Sequence, residues 1–179
     1  MKRSKTHPCL FATTLLMIIS RSALAASPPA APLLDRDPRN NVRVSDTHTG
    51  AALRQAVWGA DTWLAKESCQ QVFRDFRDSS GTPLADVLAT RGITGREQLR
   101  RIFFYDGAEH PVCQRGASVA VTSPGSAVIY VCPSSDDYAR DFSQARAVVV
   151  HELLHTLGLM ENPPTSIQIT NRVMSACGG

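Results

Sequence analysis

The sequence predicts an α+β domain, on three observations. Apolar residues recur at helical spacing between positions 51 and 76. Two short β-branched runs flank Ser123-Pro124-Gly125-Ser126 and read as a hairpin. A long, nearly all-apolar helical stretch follows the hairpin.

The elements follow in order. Leu53, Val57, Ala60, Leu64, Val72 and Phe76, with Trp58 and Trp63 nearby, predict one or two helices, with a kink at Gly59. Ser79-Ser80-Gly81 stops that pattern. Two short helices are expected over 83–89 and 94–101, the second with Thr94 as N-cap and Glu97 three residues on. Ile102-Phe103-Phe104-Tyr105 reads as a strand ended by Asp106-Gly107. Residues 117–122 and 127–131 form the hairpin. A helix is expected over 142–157, and Pro163-Pro164 prevents its continuation. Thr165 and Gln168 make a second capping box, before a short last helix marked by Ile169, Val173 and Ala176.

The 179 residues suit one domain. Lys2, Arg3 and Lys5, an apolar stretch from Cys9 to Ile19, and Ala23-Leu24-Ala25 read as a secretory signal over residues 1–25. Residues 26–48, rich in proline, read as a disordered tether, and 49–179 as the folded domain. The expected product is exported, periplasmic or secreted, monomeric, and without a membrane anchor after cleavage. Lys2, Arg3, Lys5 and Arg21 are four of the 19 basic residues. Without them 15 bases face 16 acids, a net charge of about −1, which argues against a nucleic-acid partner.

Cys69, Cys113, Cys132 and Cys177 remain after the signal. An even number in an exported chain predicts two disulfides rather than four free thiols. Cys113–Cys132 is favoured because the pair brackets the hairpin region, and Cys69–Cys177 follows by elimination. No Cys-x-x-Cys pair suggests a thiolate metal site.

The stretch Val148 to Pro164, VVVHELLHTLGLMENPP, carries the chemistry. Val148, Val149, Val150, Leu153, Leu154 and Leu157 surround the helix, so His151, Glu152 and His155 are expected to be buried. Ionisable groups in such a place are costly unless paired or metal-bound. His151 and His155, four apart, lie on one face one turn apart. Glu152 is rotated by about 100° and can address a water beside the ion rather than the ion itself. The pattern His-Glu-x-x-His is therefore read as a Zn2+ site with a general base. After His155 the chain contains no His or Asp and one Glu, Glu161. Gly158 can take the left-handed conformation that turns the chain back, so Glu161 is the expected third ligand. His110, Asp136, Asp137 and Asp141 are upstream rivals.

The run from His151 to Glu161, His-Glu-Leu-Leu-His-Thr-Leu-Gly-Leu-Met-Glu, resembles the zinc signature of the metzincin metallopeptidases, His-Glu-x-x-His-x-x-Gly-x-x-His/Asp. His151, Glu152, His155 and Gly158 match, and Glu161 occupies the third-ligand position as a different residue type. The wider phrase GLMENPPTSIQITNRV is similar to the end of small exported bacterial proteins with a His-Glu-x-x-His helix. The resemblance implies a small zincin-like domain and a peptide or protein substrate. It also implies a methionine turn beneath the metal, for which Met174 is the candidate, and a cleft-lining role for the strand 127–131. Tyr130, Tyr138 and Arg172 are oxyanion-stabilising candidates by residue type. The expected activity is that of a secreted zinc metallopeptidase with Glu152 as general base. The alternative is a non-catalytic, zinc-stabilised, disulfide-bonded binding protein. A disulfide-stapled module without metal ranks third.

Overall fold

Four strands in one mixed sheet, packed by helices, place the His-Glu-x-x-His segment at the centre of the core. The computed structural model describes residues 36–116, 118–133 and 141–179. Among the described residues a 3-10 turn, Pro38–Asn41, leads into β1, Val42–Arg43. Helices α1, Thr47–Trp63, α2, Glu67–Asp75, α3, Leu84–Thr90, and α4, Gly95–Leu99, follow. Then come β2, Phe103–Asp106, α5, Pro111–Gln114, β3, Ala120–Thr122, and β4, Val128–Val131. Helices α6, Phe142–Thr156, and α7, Ser166–Cys177, end the order. No helix of the described residues is long and apolar enough to cross a membrane.

Order begins earlier than the sequence predicts. Residues 38–48, assigned to the tether, contain the 3-10 turn, β1 and the start of α1. The reason is local. Asn41 is buried and its amide donates to the carbonyls of Arg100 and Ile102, at 2.9 and 3.0 Å. Val42 is buried beside it, and β1 pairs in parallel with β2. A single polar side chain thus satisfies two buried carbonyls, a contact that no hydrophobic periodicity reveals. The expected signal and the rest of the tether lie outside the described residues.

The predicted kink at Gly59 is also corrected. Helix α1 runs unbroken to Trp63, and the chain turns over residues 64–66. Gly59 has a packing role instead. A Cβ there would lie 2.3 Å from Nε of Arg146, which crosses the helix at that point.

The sheet order is β1-β2-β4-β3. β1 and β4 run parallel to β2, and β3 closes the hairpin antiparallel to β4. Ile129 and Val131 of β4 are buried and Tyr130 is exposed, as the period of two requires. Helix α6 packs against α1, α7 and β3. Ala145, Ala147, Val149, Val150, Leu153 and Leu154 are all buried, so the helix is enclosed around most of its circumference. Both capping boxes are present, Thr94 with Glu97 and Thr165 with Gln168.

Both disulfides are formed as expected, Cys69–Cys177 and Cys113–Cys132. The first spans 108 residues and ties the end of α7 to α2; the second spans 19. Loop-closure entropy assigns about 5 kcal/mol to the first and about 3 kcal/mol to the second. Denaturant unfolding of the two double-serine variants should therefore show the larger loss for Cys69→Ser/Cys177→Ser. An equal or smaller loss there would show that the long loop is already restricted in the unfolded chain.

Candidate metal centre

Helix α6 ends in a Schellman motif that builds the site. Gly158 takes φ +105°. Its amide donates to the His155 carbonyl at 2.9 Å, and the Leu159 amide donates to the Leu154 carbonyl at 3.2 Å. Leu154 and Leu159 are both buried, supplying the apolar contact that accompanies this cap. The chain reverses close to Asp78, whose Cβ would be 3.1 Å from a Cβ on Gly158, and Leu159 bridges to Asp78. Glu161 is thereby carried back over the helix face it has just left.

Three donors converge there. His151 Nε2 and His155 Nε2 are 3.0 Å apart, and Glu161 Oε1 lies 3.3 and 3.5 Å from them. In a tetrahedral site with ligands about 2.0–2.1 Å from the ion, donor atoms stand about 3.3–3.4 Å from one another. The three residues could hold a metal ion.

The outer hydrogen bonds favour that use. His155 Nδ1 donates to the Leu159 carbonyl at 2.8 Å, because a carbonyl only accepts. In the neutral ring Nε2 then presents a lone pair to the site. His151 Nδ1 is 2.9 Å from the Thr170 hydroxyl on α7. With Nδ1 donating to that hydroxyl, the His151 Nε2 lone pair also faces inward. Two lone pairs and a carboxylate oxygen then meet within 3.5 Å, an arrangement that a cation stabilises. Burial, reinforced by the neighbouring His155, lowers the His151 pKa to about 4, although Glu161 opposes the shift.

Glu152 sits beside the donors without joining them. It is buried, and its Oε2 has no hydrogen-bond partner among the described residues. Burial, and secondarily the charge of Glu161, pushes its carboxyl up to about 8, against a hydrogen bond from Thr122. A buried carboxylate oxygen without a donor is costly, and a water or substrate N–H at that place would satisfy it. His151, Glu152 and Glu161 line one cavity of about 530 Å³ between β3, α6 and α7.

Two of the four upstream rivals have other roles. His110 caps α5 through Nδ1 and stacks on Tyr130, with ring centroids 4.9 Å apart. Asp141 caps α6 by accepting from the amides of Ser143 and Gln144. Asp136 and Asp137 lie outside the described residues, as does Tyr138. The oxyanion candidates fare no better. Tyr130 is on the sheet face opposite the buried Ile129 and Val131, and Arg172 is paired with Asp75 at 2.6 Å. Neither lines the cavity.

Two roles implied by the resemblance are not seen. Met174 lies inside α7, the last helix, where the sequence places it, packed against the core and not on a tight turn. β4 is an interior strand, paired on both sides, so its backbone is not open to an extended ligand. Among the described residues the edge strand beside it is β3. Sequence reasoning also missed Thr170 and Thr122, whose roles depend on which helix and strand pack against α6. The box residues Thr165 and Gln168 did locate the start of the helix that bears Thr170.

No family model, curated protein or solved structure matches this chain.

Removing the Thr170 hydroxyl tests the outer contact. Thr170→Val keeps the shape but leaves His151 Nδ1 without its partner, and metal affinity measured by competition with a chromogenic chelator should fall about tenfold or more. Unchanged affinity would mean that packing alone orients His151.

Proposed function

We propose that the chain is a zinc-dependent metallopeptidase of metzincin-like design. His151, His155 and Glu161 hold the ion, and Glu152 is the general base. The observation that carries this reading is a three-donor cluster, two members of which, His151 and Glu161, line one cavity with Glu152, a buried carboxylate whose Oε2 has no hydrogen-bond partner among the described residues. A purely structural metal site has no use for Glu152 in that position.

Zinc bound there supplies Lewis acidity and lowers the pKa of water toward neutrality. Glu152 accepts a proton from the attacking water as the water adds to the scissile carbonyl. It then returns the proton to the departing amine. Burial keeps the carboxylate poorly solvated, which raises its basicity toward the value needed for that exchange. His155 is held by the Leu159 carbonyl and His151 by Thr170, so the donors need not reorganise during the reaction.

Substrate is proposed to pair with β3 rather than β4. The Cys132 amide donates to the Val119 carbonyl, so residues 119 and 121 face β4 in the ladder. The antiparallel alternation turns the amide and carbonyl of Ala120 to the open side. Ser118, Val119 and Ala120 line the cavity with His151 and Glu161. An extended peptide would add a strand there.

The alternative, a metal-stabilised binding protein, shares the donors but not the need for Glu152. The two separate cleanly. Glu152→Gln should keep about one zinc per chain and lower peptide-library cleavage by about 10²–10⁴-fold. Glu161→Ala should lose both zinc and cleavage. A wild type that holds zinc and cleaves nothing would establish the binding-protein reading. Retention of zinc by Glu161→Ala would remove Glu161 from the ligand set.

The edge-strand role has its own test. Ala120→Pro removes one outward amide without touching the ladder to β4, and should raise KM for peptides while leaving zinc content unchanged. An unchanged KM would exclude main-chain pairing at that residue.

A further inference from the structure

A second cavity, of about 520 Å³, opens between the 3-10 turn, α1 and α6. Asp37, Arg39, Arg54, Trp58, Gly59 and Arg146 contribute to its wall. Arg146 is five residues before His151 and so projects about 140° away around α6. This cavity and the metal centre share a helix but not a face.

The charges in this wall do not balance. Among the described residues Asp37 is its one carboxylate, and it accepts hydrogen bonds from Nε and Nη2 of Arg39, the closest at 2.6 Å. Arg39 also lies over the Trp58 ring, 4.7 Å from its centroid, so its Nε, its Nη2 and one face of its guanidinium are engaged. Arg54 and Arg146 are different. Among the described residues neither meets a carboxylate, and Nε of Arg146 is buried without a hydrogen-bond partner. The side chain of Arg146 is nonetheless held in place. It crosses α1 at Gly59, where any Cβ would strike it, and its guanidinium lies 5.8 Å from the Trp63 ring. A guanidinium positioned by packing and a ring face, and not by an acceptor, keeps its Nη donors for something else.

The remaining wall is aromatic. Trp58 is 50 % exposed, although Arg39 already covers part of the ring. A cavity of this volume is in the range of small-molecule sites, and larger than a bare tetrahedral anion fills.

We infer that this cavity is a binding site for a small molecule that joins a doubly charged oxyanion, such as a phosphate or phosphonate, to a planar or apolar body. Arg54 and Arg146 take the oxyanion, since planar guanidinium forks match two oxygens each. Trp58 takes the body. Gly59 determines the site, because only a residue without Cβ lets Arg146 lie across α1. The inference is independent of the metallopeptidase reading, as no donor of the metal centre lines this wall.

Phenylphosphonate is the probe, titrated into the protein in mildly alkaline buffer, with calorimetry and Trp fluorescence as readouts. Saturable binding with a change in Trp58 emission is expected, and the change should vanish in Trp58→Phe. Arg54→Ala, at an exposed helix position that should leave folding intact, should weaken binding about tenfold, and Arg146→Gln by a similar factor. Inorganic phosphate should bind more weakly for lack of the ring, and benzoate more weakly for lack of the second charge. His155→Ala should bind as the wild type does, which separates this site from phosphonate held at the metal. Absence of binding, equal affinity in Arg54→Ala, equal affinity for benzoate, or loss of binding in His155→Ala would each overturn the assignment.

Discussion

The reversal at Gly158 is the constraint on which the candidate metal centre depends. The helix ends at Thr156 with Leu157 as its cap, Gly158 follows at φ +105°, and four consequences appear within four residues. The Leu159 amide caps the Leu154 carbonyl, and the Leu159 carbonyl turns toward His155 Nδ1. The backbone approaches Asp78, and Glu161 returns to the imidazoles. A side chain at 158 would meet strain from the left-handed backbone and contact with Asp78 together. The cap that satisfies the helix end is the same element that orients one donor, His155, and delivers another, Glu161.

The enclosure of α6 gives those donors their chemistry. A helix surrounded by α1, α7 and β3 has little water along it, so each polar group on it needs a partner. Thr156 has Gln98 and its own helix carbonyl, at 2.9 and 2.7 Å. His151 has Thr170, and His155 has Leu159. The inward nitrogens and Oε2 of Glu152 are the groups left over, and His151 and Glu152 line one cavity. The disulfide between Cys69 and Cys177 anchors the end of α7, the helix that supplies Thr170. The staple and the outer hydrogen bond of the site thus belong to one element.

Most of the fold was legible because its signals are local. Capping boxes at Thr94 and Thr165, the Ser123–Ser126 turn and the apolar run of α6 are all read within a few residues, and each appears where the pattern places it. The failures are non-local. Asn41 orders residues before α1 by reaching carbonyls about sixty positions away. Gly59 looked like a helix breaker because the residue it accommodates, Arg146, is on another helix. β4 looked like a cleft strand because strand order in a sheet is not contained in any one strand.

The sequence by itself determined the chemical inventory of the site. Spacing four on an apolar helix puts His151 and His155 on one face, and a chain with one acidic residue after His155 leaves Glu161 as the downstream donor. The pairing of four cysteines followed from hairpin position and elimination. Tertiary structure decided which groups orient the donors, which strand has a free edge, and which candidates are used elsewhere. Asp141 caps a helix, His110 caps another and stacks on Tyr130, and Arg172 holds Asp75. The physical reason is that ligand spacing along a helix is fixed by its 3.6-residue repeat. The partner of a polar side chain is fixed only by which surfaces meet when apolar area is buried.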